Sequence, residues 1–319
     1  MASPKYSIII PVYNRPQELD DLLQSLTKQS FSNFEVLIVE DGSTITSEKV
    51  FEKYSQQLHS QYFFKHNSGP GPSRNFGFEK ANGEYFIVFD SDCQISPHYL
   101  ESVEKSLQTN RFDAWGGPDR GHENFTPLQQ AMAYTMSSVF TTGGIRGGKS
   151  KNFQPRSFNM GISREVFKIT GGFHFDRFAE DIELSVRLKK MGLRVGLIPE
   201  AFVYHQRRAT LEEFFKQVSN FGKGRVLVGR AHPGEVKLVH WFPSLFLLGI
   251  LSLLPISIIN PQLGEIAILL YLFYLIAIGI DSFRKTKSMK VAMLSLPAAV
   301  VQLTGYGFGF FREIFHFIT

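Results

Sequence analysis

The sequence predicts an α/β domain followed by a helical membrane region. Three observations carry this. Residues 6–12, 34–39 and 85–89 are apolar, β-rich runs without polar alternation, the pattern of strands buried on both faces of a sheet. Between the first two lies an amphipathic stretch, 18–29, long enough for the crossover of a right-handed βαβ unit. After about Phe242 the composition changes, and apolar residues dominate.

A chain of 319 residues allows one large domain with an appendage, or two domains. The net charge is +5, and much of the basic character lies after Arg187. Basic groups flank the apolar runs, so an anionic membrane surface explains them better than nucleic acid does. Cys93 is the single cysteine, which excludes an internal disulfide and fits a cytosolic catalytic domain. The first residues run almost directly into a strand, and no signal-peptide core is expected.

The first strand, YSIIIPV, is closed by Tyr13-Asn14-Arg15-Pro16. No Gly-x-Gly-x-x-Gly fingerprint follows it, which argues against a dinucleotide fold. The second, FEVLIV, runs into Glu40-Asp41-Gly42-Ser43. Asp41 is placed there to accept hydrogen bonds from a base or ribose, or to hold a turn or cap. A third short strand is expected over 61–65. Residues 66–75 then form a Gly- and Pro-rich turn into a helix over 75–81. Exposed N–H groups at a helix start suit an anion, and Arg74 adds a cation that could lie near a diphosphate; an ordinary capped loop is the competing reading.

The strand over 85–89 ends in Asp90-Ser91-Asp92. Two carboxylates at the carboxyl end of a central strand stand where open α/β sheets bind ligands. They repel each other unless a cation intervenes. A divalent ion such as Mg²⁺ or Mn²⁺, shared with substrate phosphates, would serve. A polar turn closing a strand is the bland alternative. A helix over 97–107 follows.

These segments resemble the nucleotide-sugar half of family 2 glycosyltransferases in letters, order and spacing. The matching pieces are SIIIPVYNR at 7–15, VEDGS at 39–43, GPSRNFG at 71–77 and FDSD at 89–92. The resemblance implies an inverting GT-A fold, a Rossmann-like nucleotide-diphospho-sugar transferase domain. It implies that Asp41 binds the base and that Asp90 and Asp92 bind metal and diphosphate. The substrate-binding set it suggests is Pro11, Tyr13, Asn14, Asp41, Arg74, Asn75, Asp90, Ser91 and Asn159.

Further along, a short strand is expected over 113–116 and a mostly helical stretch over 128–140. Residues 141–152 (TTGGIRGGKSKN) form a glycine-rich basic loop that either contacts substrate or only borders the site. A helix over 165–169 precedes Gly171-Gly172-Phe173, and a helix over 182–191 follows Glu180-Asp181. The helix N-terminus stabilises negative charge, so capping competes with catalysis there. Asn159 with Gly161, and Glu180 with Asp181, match the acceptor side of the same glycosyltransferases. The resemblance makes Asp181 the general base with Glu180 beside it. A strand over 194–198 leads to Tyr204-His205-Gln206. His205 is read equally as a third metal ligand or a structural hydrogen bonder. The Gln-x-x-Arg-Trp signature of processive polysaccharide synthases is missing, which favours transfer of one sugar at a time.

Three apolar segments close the chain, at 242–259, 263–280 and 291–311. Each approaches the roughly 20 residues that cross a hydrocarbon core. A buried helical subdomain, or a re-entrant hairpin for the first pair, are the alternatives. Arg225, Arg230 and Lys237 before the first segment, and Arg284, Lys285, Lys287 and Lys290 between the second and third, set the cytoplasmic side. Three spans would leave the C-terminus on the far side. The expected division is residues 1–235 as the catalytic domain and 236–319 as the membrane region.

The leading expectation is a metal-dependent transferase of the inner or plasma membrane, its catalytic domain cytoplasmic. It moves a sugar from a nucleotide-sugar donor to a glycan or lipid-linked acceptor. Mg²⁺ or Mn²⁺ is the cofactor, the lipid bilayer is a partner, nucleic acid is not, and a homo-oligomer is allowed. A catalytically silent scaffold and a nucleotidyltransferase are the other classes.

Overall fold

The computed structural model describes residues 3–120, 125–143, 153–205 and 208–316, the side chain of residue 205 excepted. The elements run β1 (Tyr6–Val12), α1 (Pro16–Leu26), β2 (Phe34–Asp41), α2 (Glu48–Tyr54), β3 (Ser60–Lys65), α3 (Pro70–Lys80), β4 (Tyr85–Phe89), β5 (Cys93–Ile95) and α4 (Tyr99–Asn110). Next come β6 (Ala114–Gly116), β7 (Asp119–Arg120), α5 (Pro127–Ser137), α6 (Val139–Thr142), β8 (Asn159–Ser163), α7 (Arg164–Thr170) and α8 (Glu180–Lys190). The chain closes with β9 (Val195–Leu197), β10 (Val203–His205), α9 (Leu211–Ala231), α10 (Phe242–Ile259), α11 (Pro261–Thr286) and α12 (Met289–Phe315).

Two compact units form, one from residues 1–122 and 149–206, the other from 123–148 and 207–319. In the first, seven strands lie in the order β3-β2-β1-β4-β8-β6-β9, and a small sheet has the order β5-β10-β7. β1 pairs in parallel with β2 and β4. Their apolar runs are buried on both faces, as the lack of alternation predicted. Ile8, Ile10, Val36, Ile38 and Ile87 face α1 and α4, while Ile9, Leu37, Phe86 and Val88 face residues of α3, α7 and α8. Each fully buried aliphatic side chain contributes about 1.5–3 kcal/mol relative to exposure.

β8 runs antiparallel between β4 and β6. The sequence reading placed no strand at 159–163, because NMGIS carries two poor strand formers, Asn159 and Gly161. Gly161 is required there, since a Cβ would lie 2.1 Å from the Trp115 ring. The antiparallel direction brings the start of β8 level with the end of β4, Asn159 opposite Phe89. The carboxyl ends of β1, β2 and β4 and the first residue of β8 therefore share one edge.

α3 begins at Pro70, earlier than the expected 75, because Pro70 takes the first helical position behind Gly69. The stretch expected to be a turn is thus largely helix. α2 was not anticipated either.

In the second unit, α5 and α6 join α9 to α12. Ala131, Met132, Phe214, Val218, Val291 and Ala298 make its main cluster. α10, α11 and α12 are each long and apolar enough to cross a membrane, by length and composition.

Candidate active site

At the shared edge the chain ties its own loops first. Asn14 has φ 54°, an uncommon conformation that Asn tolerates. Its side-chain oxygen accepts from the Thr44 and Ile45 N–H groups at 2.8 and 3.0 Å, and its own N–H donates to Ser43 Oγ at 2.7 Å. The loops after β1 and β2 are joined by this one residue. Asp41 is buried and accepts from Lys65 Nζ at 2.5 Å and from the N–H groups of Ser68 and Gly69 at 2.9 Å. Burial pushes its carboxyl up, but Lys65 and the two N–H groups pull harder, and the net value lies below the usual carboxylate range. As it stands, Asp41 anchors the loop that enters α3.

The acidic residues are matched by arginines. Arg15 Nη1 donates to Asp92 Oδ2 at 2.6 Å. Arg74 is buried, donating from Nη2 to Asp90 Oδ1 at 2.7 Å and from Nη1 to Glu180 Oε1 at 2.6 Å. One guanidinium thus joins the end of β4 to the start of α8. It is held by α3, whose Gly71 packs so close to the chain before α8 that a Cβ would lie 2.0 Å from Phe175 O. Ala179, just before α8, has φ 57°, a conformation that costs a non-glycine residue roughly 1 kcal/mol or more. It aims Glu180 and Asp181 in their observed directions. Burial pushes the Glu180 carboxyl up to about 7, with Arg74 pulling it down and Asp181 pushing it up. Asp181 lies more open than Glu180, 3.7 Å from Arg156 Nη1, and accepts from the Ser157 N–H at 3.4 Å.

Besides Asp41 and His205, the predicted residues fall into three groups. Asp90, Glu180 and Arg74 meet directly, with Asp181, Asp92 and Ser91 adjacent in sequence. Asn14, Pro11 and half-exposed Tyr13 sit at the end of β1. Asn75 and Asn159 point inward. Asn75 donates to Phe173 O and accepts from Phe173 N, both at 2.8 Å, pinning the turn at 171–173. Asn159 is fully buried, accepting from Tyr99 OH at 2.6 Å and donating to Ala201 O at 2.9 Å. Its amide supports the edge from below and has no free face toward a ligand. The His205 side chain and most of the 141–152 loop lie outside the described residues. Among the described residues, no three His, Cys, Asp or Glu side chains group as a metal site. Arg15, Lys65, Arg156 and Ser157 received no role from sequence. Arg15 stands inside the SIIIPVYNR stretch and could have been paired with a nearby acid; Arg156 and Ser157 carry no such signal.

Residues 7–170 match the family model described as glycosyl transferase family 2. An uncharacterized glycosyltransferase of Rickettsia bellii is 37% identical over 108 residues, covering 34% of this chain and 16% of that protein. The poly(ribitol-phosphate) beta-N-acetylglucosaminyltransferase TarS of Staphylococcus aureus is 34% identical over 113 residues, 34% of this chain and 20% of that one. The match thus spans a fifth or less of the length of either relative. Among solved structures, the mannosyltransferase PcManGT from Pyrobaculum calidifontis, in complex with GDP-Man and Mn²⁺, superposes with a TM-score of 0.63 at 17% identity, over 95% of this chain and 88% of that one.

Proposed function

The chain belongs to glycosyl transferase family 2, and on that premise we propose that it transfers a single sugar from a nucleotide-diphosphate donor to a hydroxyl of a glycan or lipid-linked acceptor. One observation carries the reading. Carboxylates from two distant motifs, Asp90 and Glu180, converge on the buried guanidinium of Arg74 at the carboxyl edge of the sheet. A merely capped helix and a merely polar turn would have no reason to share a buried cation.

In the proposed reaction Asp181 accepts the acceptor hydroxyl's proton as the oxygen attacks the sugar's anomeric carbon. The bond to the diphosphate breaks as the new bond forms. One displacement inverts that carbon, and no protein nucleophile is needed. Glu180, held by Arg74, orders the acceptor side, and Asp41 and Asn14 fix the loops that receive the nucleotide.

Asp90 and Asp92 are hard oxygen donors of the kind that hold Mg²⁺ or Mn²⁺; each is paired with an arginine, which a bound ion would share or displace. Asp90 is partly open to solvent, and His205 is the proposed third ligand. When bound, such an ion would supply charge compensation for the departing diphosphate. PcManGT, solved with GDP-Man and Mn²⁺, supports this choice of donor and metal.

The catalytic domain is residues 1–235 in this reading, which then includes α5 and α9 although they pack in the second unit. Residues 236–319 form the membrane region, and the basic flanks put the catalytic domain in the cytoplasm, at the inner or plasma membrane. The test is a screen of nucleotide sugars against membranes carrying the full chain, read by release of nucleoside diphosphate. Asp181→Asn should bind donor normally and lose transfer by about 10²-fold or more, with Glu180→Gln less affected. Pyrophosphate release instead would indicate a nucleotidyltransferase. Absence of turnover with every donor would favour a silent scaffold. Near-normal transfer by Asp181→Asn with an inactive Glu180→Gln would move the base one residue upstream.

A further inference from the structure

The three apolar helices are packed differently. α10 and α11 show large apolar side chains all round, and only 17% and 11% of their apolar stretches are buried. α12 buries half of its stretch. It is covered mainly by α9, with α5, α10 and α11 beside it.

The cover is backbone against backbone. A Cβ on Gly222 of α9 would lie 2.1 Å from Tyr306 O, and one on Gly309 would lie 1.9 Å from Ser219 O. Toward the ends of both helices Arg230 donates to the buried Glu313 carboxylate at 2.8 Å and to the Glu313 carbonyl at 2.6 Å. Lys223 approaches the same carboxylate at 3.6 Å. α9 therefore travels with α12 along its C-terminal half, and α9 is a charged helix. If α12 crossed the hydrocarbon core, Lys223 and Arg225 would be drawn toward it, with Arg230 left at the boundary beside Glu313. Insertion scales charge about 2.5–3.5 kcal/mol for each such residue at the centre.

The exposed side of α12 agrees. Its exposed positions are Met289, Lys290, Met293, Pro297, Phe308, Arg312 and Phe315. At 3.6 residues per turn they fall within one arc of about 140°. A span would meet lipid on a wider face, and would not carry Arg312 on it. A narrow apolar stripe ending in a charge fits a helix lying in the interfacial plane.

We infer that α12 does not cross the bilayer. The α10–α11 hairpin alone enters the hydrocarbon core, and α12 lies on the same membrane face as α9 and the basic junction of α11 with α12. Met293, Phe308 and Phe315 dip into the headgroup–acyl boundary. The C-terminus then returns to the side of that junction, against the sequence expectation that it ends on the far side. The inference rests on the membrane reading above.

Single cysteines placed in the full chain test it, because native Cys93 is buried. The variants are Gln262→Cys at the hairpin tip, Ser288→Cys at the basic junction and His316→Cys at the end of α12. Intact cells are treated with a membrane-impermeant maleimide, then permeabilised and treated again. Before permeabilisation Gln262→Cys should label at least about tenfold more strongly than the other two, and afterwards all three should label. External labelling of His316→Cys at the level of Gln262→Cys would overturn the inference, and so would protection of Gln262→Cys. Fractionation separates the two layers of reading. A soluble chain refutes membrane association itself, whereas a membrane-bound chain with an external His316→Cys refutes only the placement of α12.

Discussion

Deleting the Arg74 guanidinium perturbs the site most directly. Arg74→Met keeps much of the stem and removes both charge-assisted hydrogen bonds, at 2.6 Å to Glu180 and 2.7 Å to Asp90. The two losses are unequal. The Asp90 side chain is 32% exposed and water replaces much of what it loses, while Glu180 is only 9% exposed. Removing one partner of a buried pair costs about 3–5 kcal/mol, and most of it should fall on Glu180. Glu180 can escape by taking a proton. Its carboxyl already stands at about 7 through burial, and losing Arg74 pushes it higher. A carboxyl whose folded value exceeds its unfolded value of about 4.3 loses stability as pH rises through that window. Below about 7 both proteins hold Glu180 protonated. They then differ by roughly one hydrogen bond from a guanidinium to a neutral carboxyl plus the exposed Asp90 contact, about 2–4 kcal/mol. Above it the gap widens by up to about 1.4 kcal/mol per pH unit until Glu180 ionises in the variant too. Urea unfolding of the detergent-solubilised full chain, on either side of neutrality, measures this. The loss should be larger on the alkaline side, and adding Glu180→Gln should recover much of it there. An equal loss at both pH values, or one below about 1 kcal/mol throughout, would refute the account.

Two further outcomes are expected. Asp92→Asn removes a ligand charge and weakens the Arg15 pair, so turnover should fall by orders of magnitude and its Mn²⁺ or Mg²⁺ dependence should weaken; unchanged metal-dependent turnover in the purified variant would sink the metal assignment. Asp41 has a depressed carboxyl, so the stability it contributes is present above its unfolded value of about 3.9 and is lost as pH falls through the folded value. Asp41→Asn should therefore be less stable near neutrality and lose less on acidification, and an acid titration followed by tryptophan fluorescence would show an unaltered acid limb if the Lys65 contact contributes nothing.

The parts legible in the sequence are those set by local pattern. β1 and β4 are unbroken β-rich runs, and both extend over the residues expected. The placement of Asp90 and Asp92 at the carboxyl end of β4 follows from that. β8 was hidden because its place is fixed by its neighbours, Trp115 filling the space above Gly161, and not by its own propensity. Arg74 was read toward a diphosphate, yet its partner Glu180 lies 106 residues away, a separation that no spacing rule reveals. Asn159 reads as a ligand-facing residue, and only the antiparallel register of β8 turns its amide into the core. For the apolar helices, length and composition could not say which one is covered, since the cover depends on glycines of one helix meeting the backbone of another.

The second unit is assembled from two separated stretches of chain, and this bears on the order of its making. Ala131 and Met132 of α5 share a cluster with Phe214 of α9 and Val291 of α12. At ribosomal rates of about 5–20 residues per second, the apolar face of α5 waits roughly 10–30 s for α12 to be synthesised. In that interval the last strands of the sheet emerge and the α10–α11 hairpin becomes available to the membrane. α12 arrives last and closes the cluster, so a nascent chain stalled before it would keep an uncovered, sticky α5 beside a growing domain, a natural target for chaperones.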